Sequence, residues 1–505
     1  MIMKNTYTMG IDVGTNETKG VLIDHACNVI AFANRSHSIE NPKPNYFEMD
    51  CEIWYQEACE ISKELLAKSG VDKAAVTTLG TSVMGCDCIA VDEQCKPLMK
   101  AILYGVDCRS YEEIQYLNDF YGDQAEAVFR HEICSSDIAP KILWIQKHRP
   151  DVFEKAYKFL TGSSYLSAKL TGRYVIDQYL AEDFFPLYDI DKGEIVEVKE
   201  PFFCHREQLA ELATAMDIIG TLNEQAASDM GLTVQTQVLC GTGDSGAEAV
   251  STGVFTAGDL MVQLGSSCYF VYLCDHLAKN TGLWPGTFII PGTYSILAGT
   301  NTAGTLTKWF RDTMYFDKYA QEREGGLNAY SAMTEDIADV PAGSNGLISL
   351  PYFAGERTPI NDPLAKGMII GLNVSHTRGD MLKSALEGIA YSIAQHIDIL
   401  EGQGLPLKKI MLVGGGTKNP HWMQIIADVL QKDVCTCKVS FGAAYGDALM
   451  AMIAEGSYAG WEELEEVVKP DQIIHPNPAN REIYAKGKKL FKELYQLNKD
   501  IMHQL

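Results

Sequence analysis

The sequence predicts a duplicated α/β protein in two domains, and three observations carry that prediction. At 505 residues the chain exceeds the roughly 250–300 residues at which single cores stop growing. Its first half opens with short apolar runs at residues 7–13, 20–23 and 29–34, separated by turns, which reads as a β-meander. Its second half opens alike, with runs at 260–264 and 269–273 flanking Gly265-Ser266-Ser267. The boundary is expected in the Gly-Val-Phe-Thr-Ala-Gly stretch at 253–258, giving domains of 1–253 and 254–505.

The elements follow in order. After the first meander, Trp54, Ala58, Ile61 and Leu65 recur at helical spacing from about residue 50, and Ser69-Gly70 supplies a stop. A strand over 76–81 then leads into a loop rich in Gly, Cys and Asp. In the second half, Leu382, Leu386, Ile389, Ile393, Ile397 and Leu400 form one stripe of a long helix. A strand over 409–413 ends in Gly414-Gly415-Gly416, and a helix over 420–430 follows, with Asn419 as N-cap and Pro420 at its first position.

Composition narrows the function. The chain is 46% hydrophobic and 21% charged with a net charge of −24, which argues against nucleic acid and anionic membrane as partners. No apolar run approaches the ~20 residues of a membrane span, and the polar start shows no signal peptide. Fourteen scattered cysteines suit reduced thiols in a cytoplasmic protein. The pairs Cys86/Cys88 and Cys435/Cys437 lack the partner spacing of a zinc site and read as small apolar residues on strand faces. A homodimer is compatible with the chain, and the sequence leaves the oligomeric state open.

The first hairpin tip is richer than a turn requires. Asp12, Gly14, Thr15, Asn16, Thr18 and Lys19 bring hydroxyls, an amide and an ammonium that hold phosphate oxygens, beside a carboxylate able to organise Mg²⁺. Gly241-Thr242-Gly243-Asp244-Ser245-Gly246 matches GxGxxG. A dinucleotide fold is disfavoured: the helix before Gly253 would be very short and no ribose-binding acid follows at ~20 residues. Asp244 on this Gly-flanked turn suits a general base that takes the proton of a hydroxyl attacking a phosphoryl group. Its alternative use is as a helix N-cap. Glycines at 414–416 let a flat or anionic ligand approach a helix N-terminus, and Ala303-Gly304 is a weaker case that close helix packing explains equally well.

Together these segments resemble the FGGY carbohydrate kinases over nearly the whole chain. Residues 10–15 (Gly-Ile-Asp-Val-Gly-Thr) resemble the first phosphate motif, Gly243-Asp244 the motif of the catalytic Asp, and Gly265-Ser266-Ser267 the second phosphate hairpin. The run 351–359 ending in Gly355-Glu356-Arg357-Thr358-Pro359, and 367–387 with Gly371-Leu372 and Ala385-Leu386-Glu387, resemble later family segments. Gly414-Gly415 with Asn419 resembles the adenosine motif. The resemblance implies an actin-like, ribonuclease H-like ATPase fold, with ATP and Mg²⁺ in a cleft between duplicated halves. It implies that Asp12 organises the metal, that Gly14, Thr15, Asn16 and Lys19 meet phosphates, and that Gly265 and Ser266 approach the γ-phosphate. Gly304, Gly415 and Asn419 would line the adenosine, and Asp244 would be the base.

The acceptor side departs from the pattern. Where xylulose kinases carry Gln-Met-His and glycerol kinases Gln-Arg-Glu, this chain has Met84, Gly85 and Cys86. The grip on glycerol is therefore missing, and so is the xylulose-kinase His. The family's Trp-x-Asp-x-Arg becomes Tyr104-Gly105-Val106-Asp107-Cys108-Arg109, with one extra residue before the Asp. Gly85, Cys86, Asp87, Tyr104, Asp107 and Asp244 are the expected substrate residues. The expected activity is ATP-dependent phosphorylation of a primary hydroxyl of a small sugar or polyol, with a ketopentose such as xylulose foremost. The alternatives are another sugar, a sugar acid or polyol, or a non-sugar ATPase of the same superfamily.

Overall fold

The computed structural model describes residues 6–279, 282–437 and 441–505. The chain forms two compact units: residues 1–255 with 286–293 and 441–468, and residues 256–285 with 294–440 and 469–505. The first unit thus takes in a late segment, 441–468, in addition to the N-terminal half.

The first unit is built on a seven-stranded sheet whose main path runs Ile218–Thr221, Gln237–Leu239, Val76–Val83, Tyr7–Val13, Glu17–Asp24, Val29–Ser36. Tyr7–Val13 is antiparallel to Glu17–Asp24 and parallel to Val76–Val83, and the short strand Thr242–Gly243 also runs parallel to Val76–Val83. Helix Glu52–Ser69 covers one face with Trp54, Ala58, Ile61 and Leu65 buried, and Gly70 ends it in the left-handed conformation. Helix Ala443–Ala454 covers the other face. Gly10 and Gly80 are register partners, and a Cβ on either would strike the backbone of that helix at Ala444 or Asp447. Two adjacent glycines therefore make a groove into which the helix backbone sinks.

The second unit repeats the pattern. Asp259–Leu264 is antiparallel to Cys268–Cys274 and parallel to Lys409–Val413. The apolar stripe from Leu382 to Leu400 of helix Arg378–Gly402 is buried. Among the described residues no helix is long and apolar enough to cross a membrane.

Candidate active site

In the first unit, three parallel strands end side by side. Asp12 is register partner to Ser82, and Ser82 to Thr242, so Asp244 emerges one residue beyond its strand next to both. This is the carboxyl edge of parallel strands, where ligands of α/β sheets bind. Asp12 is 6% exposed. The Ser82 hydroxyl lies 3.2 Å from Asp12 Oδ1 and 2.7 Å from Asp447 Oδ2. Asp447 is fully buried, and its Oδ1 has no partner. Burial, with the nearby charge of Asp244, drives the Asp12 carboxyl well above its ordinary range, while Lys19, directly across the hairpin, opposes the rise. Asp244 opens helix Asp244–Ser251, capped by Gly243. Burial and then Glu248 push its carboxyl up to about 7, against the Ser245 amide and Lys19.

The hairpin tip is tighter than expected. The strand begins at Glu17 rather than 20, and the Gly14 amide closes the turn on Glu17 O at 3.0 Å. Strand alternation then separates the polar residues. Lys19 shares the face of Asp12 and pairs with Glu17 at 3.0 Å. Thr18, expected among the phosphate groups, points the other way, is buried and donates to Glu57 at 2.5 Å. His37 braces the turn by bonding both Glu57 and Gly14 O at 2.9 Å. Asn16 is exposed.

Beside this edge lies the loop after Val76–Val83. Cys86 takes a left-handed conformation, its carbonyl accepts from the fully buried Lys141 at 2.6 Å, and its thiol meets Asp183 at 2.9 Å. Asp87 is fully buried; Oδ1 accepts from the Tyr104 amide at 3.0 Å and Oδ2 has no partner. The Tyr104 hydroxyl reaches Thr15 Oγ1 at 3.0 Å, tying this loop to the first hairpin. Leu180 lies against both Gly85 and Gly243. Asp107 has a different use from the one expected. Its two oxygens bind the Arg109 guanidinium, the Arg109 amide and the Phe47 amide at 2.6–3.0 Å, with Asp107 and Arg109 themselves buried. Arg109 also reaches Glu48 and lies over Tyr46 and Trp144. The pair anchors a loop.

In the second unit, Gly265 closes its own tip on Ser267 O at 3.0 Å, and Gly304 at the start of helix Gly304–Thr313 donates to Gly265 O at 2.9 Å. A Cβ on Gly304 would approach Gly265 O to 2.6 Å, so this glycine serves close packing of helix on hairpin. Gly414, at φ 88°, and Gly416 press on Leu264, whereas Gly415 faces open space. Asn419 caps helix Pro420–Leu430 by accepting from the His421 and Trp422 amides. Ser266, Gly304 and Gly415 are thus gathered at one end of that unit's hairpin. Glu356 and Arg357 of the 355–359 segment hold the backbone of residues 300 and 301. Neither Cys-x-Cys pair joins a cluster of potential metal ligands among the described residues; the one group of three with mutually adjacent ligand atoms is His131, Cys134 and Asp137.

Residues 7–251 match the N-terminal domain of the FGGY family of carbohydrate kinases, and residues 260–455 match its C-terminal domain. The chain belongs to the FGGY carbohydrate kinases. This FGGY kinase is 28% identical to a xylulose kinase of Lactococcus lactis over 99% of its own length and 98% of that protein. It is 27% identical to a xylulose kinase of Escherichia coli, covering 97% and 98%. A crystal structure of a xylulose kinase from Rhodospirillum rubrum superposes with a TM-score of 0.88 at 26% identity, covering 98% of this chain and all of that one. As a family member it is a phosphotransferase, and the two-domain α/β kinase fold expected from the sequence is the fold found.

Several residues packed around this candidate site escaped the sequence. Ser82 and Lys141 sit in unremarkable strand and helix patterns and carry no motif. Asp447 left one faint sign, a lone carboxylate in an otherwise apolar helix of residues 443–454.

Proposed function

We propose that this kinase transfers the γ-phosphoryl group of ATP to a primary hydroxyl of a ketopentose such as xylulose, with Asp244 as general base. The observation that carries the reading is the convergence of Asp12, Ser82 and Asp244 at one sheet edge, with Asp87 and Tyr104 within electrostatic reach of Asp244. The names of the similar proteins supply the ketopentose. Asp87, with a bare buried oxygen, and Tyr104 are the groups suited to orient the acceptor, together with the backbone of Gly85 and Cys86; Asp107 is taken up by Arg109.

In the step itself, Asp244 accepts the acceptor's hydroxyl proton while that oxygen bonds to the γ-phosphorus and the bond to the β-phosphate oxygen breaks, releasing ADP. A carboxyl held near 7 is a stronger base than an ordinary one, and about half of it is ionised at neutral pH. Thr15 and Lys19 beside Gly14 offer donors to phosphate oxygens, as does the Ser266 hydroxyl beside Gly265; Gly304, Gly415 and Asn419 suit the adenosine end. The acids near Asp12 fit a divalent cation. Among the described residues no Lys or Arg forms an ion pair with Asp12, Asp244 or Asp447 (Lys19 pairs with Glu17), and one Asp447 oxygen is orphaned. Mg²⁺ bound through Asp12 would neutralise phosphate charge that builds in the transition state. All fourteen cysteines are free thiols, which suits a cytoplasmic enzyme.

The test is ADP release measured across ketoses, aldoses, sugar acids and polyols. Stimulation by ketopentoses, abolished in Asp244→Asn, is expected. ADP release that no sugar stimulates, or a clear preference for a sugar acid, overturns the assignment.

A further inference from the structure

We propose that Asp447 is a second carboxylate of the cation site, so that this kinase holds a divalent cation through Asp12 and Asp447 before any nucleotide binds. The inference rests on the reading of Asp12 as metal organiser and concerns a residue outside every motif above.

Ser82 stands between Asp12 and Asp447, within bonding distance of both. One hydroxyl carries one proton, so it can donate to only one of the two carboxylates. The shorter contact is to Asp447, and Asp12 is left facing an oxygen lone pair. Asp447 Oδ1 is buried with no hydrogen-bond partner at all. An orphaned carboxylate oxygen at zero exposure costs the full desolvation of that group unless something positive meets it. The charges nearby do not supply it: Asp447 faces Asp12 and Asp244, both acids, and Lys19, beside Asp12, is paired with Glu17.

The placement of Asp447 is built in. Gly80 admits the backbone of Asp447 itself against the sheet, and Thr8 Oγ1 donates to Ala448 O at 3.0 Å. Gly446 lets the same helix press on helix Asp244–Ser251 at Ala247. Three backbone contacts thus fix where the carboxylate stands, as a preorganised ligand requires. Hard divalent cations take carboxylate oxygens of this kind.

The experiment uses Mn²⁺ as probe and reads the solution EPR signal of the unbound ion with the full-length protein, first without nucleotide and then with a non-hydrolysable ATP analogue, each against the same solution lacking protein. Wild type is expected to retain Mn²⁺ in both conditions. Asp447→Asn is expected to weaken nucleotide-free binding about ten- to hundredfold, while Asp12→Asn loses it in both. Asp447→Ala, which keeps the β-carbon packing, carries the same expectation if the amide variant does not fold. Wild type that takes up Mn²⁺ only with the analogue, or Asp447 variants that bind as wild type does without nucleotide, overturns the proposal and leaves the role of Asp12 standing. No Mn²⁺ uptake in either condition overturns both.

Discussion

Asp244, the proposed base, owes its raised carboxyl to position more than to identity. It stands at the first position of its helix, one residue past the Gly243 cap, and burial beside Glu248 raises it to about 7 against the Ser245 amide. Replacing it with Asn should lower turnover by about 10²–10⁴-fold while ATP still raises the melting temperature. Because the base must be ionised, kcat/KM should fall as pH drops through about 7, a loss visible in a pH–rate profile. Stability should move the opposite way in metal-free protein. A carboxyl raised in the folded state binds its proton more tightly there than in the unfolded chain, so its contribution is present below pH ~4 and lost as pH rises through about 7. Asp12 and Asp447 are raised too. Melting temperature should therefore decline over that window, and Asp244→Asn should flatten the decline.

At the scale of elements, the site depends on backbone contacts that glycine permits. The groove at Gly10 and Gly80 seats helix Ala443–Ala454, and Gly80→Val should destabilise the protein by about 1–3 kcal/mol or more by overpacking, measured by urea unfolding. The Asp107–Arg109 pair gives a second test. Were Asp107 a sugar ligand, Asp107→Asn would change KM with little effect on stability. The structure instead predicts that Asp107→Ala leaves a buried guanidinium with Glu48 as its one remaining carboxylate partner and costs up to about 3–5 kcal/mol. Here the sequence was legible in part. The Asp-x-Arg spacing marked the loop, but the partners that occupy Asp107, the Phe47 amide and Arg109 itself, come from the fold.

The whole molecule carries a net charge of −24 and must bind a polyanion. Its general field opposes ATP, so the local donors of the hairpins have to overcome it. Screening reaches about 8 Å at physiological ionic strength. Raising salt from low values toward ~0.15 M should therefore lower KM for ATP; a rise would mean that attraction to the local site dominates the encounter. Saturating nucleotide at about 100 times Kd should stabilise the protein by about 2.7 kcal/mol, which a thermal shift would report.

The sequence by itself determined the two meanders, their phosphate-friendly tips, the apolar helix stripes and the family, because these are local patterns or ordered motifs. Strand Lys409–Val413 and helix Pro420–Leu430 fall where periodicity and caps put them. Only the tertiary structure decided which way Thr18 faces, what occupies Asp107, and that Asp447 meets Ser82 across 365 residues of chain. The physical reason is the same in each case. A side chain's partners depend on strand register and on which helix backbone the sheet admits, and both are set by packing between distant segments. The first hairpin carries the proposed phosphate site, and the company its aspartate keeps is a property of the fold.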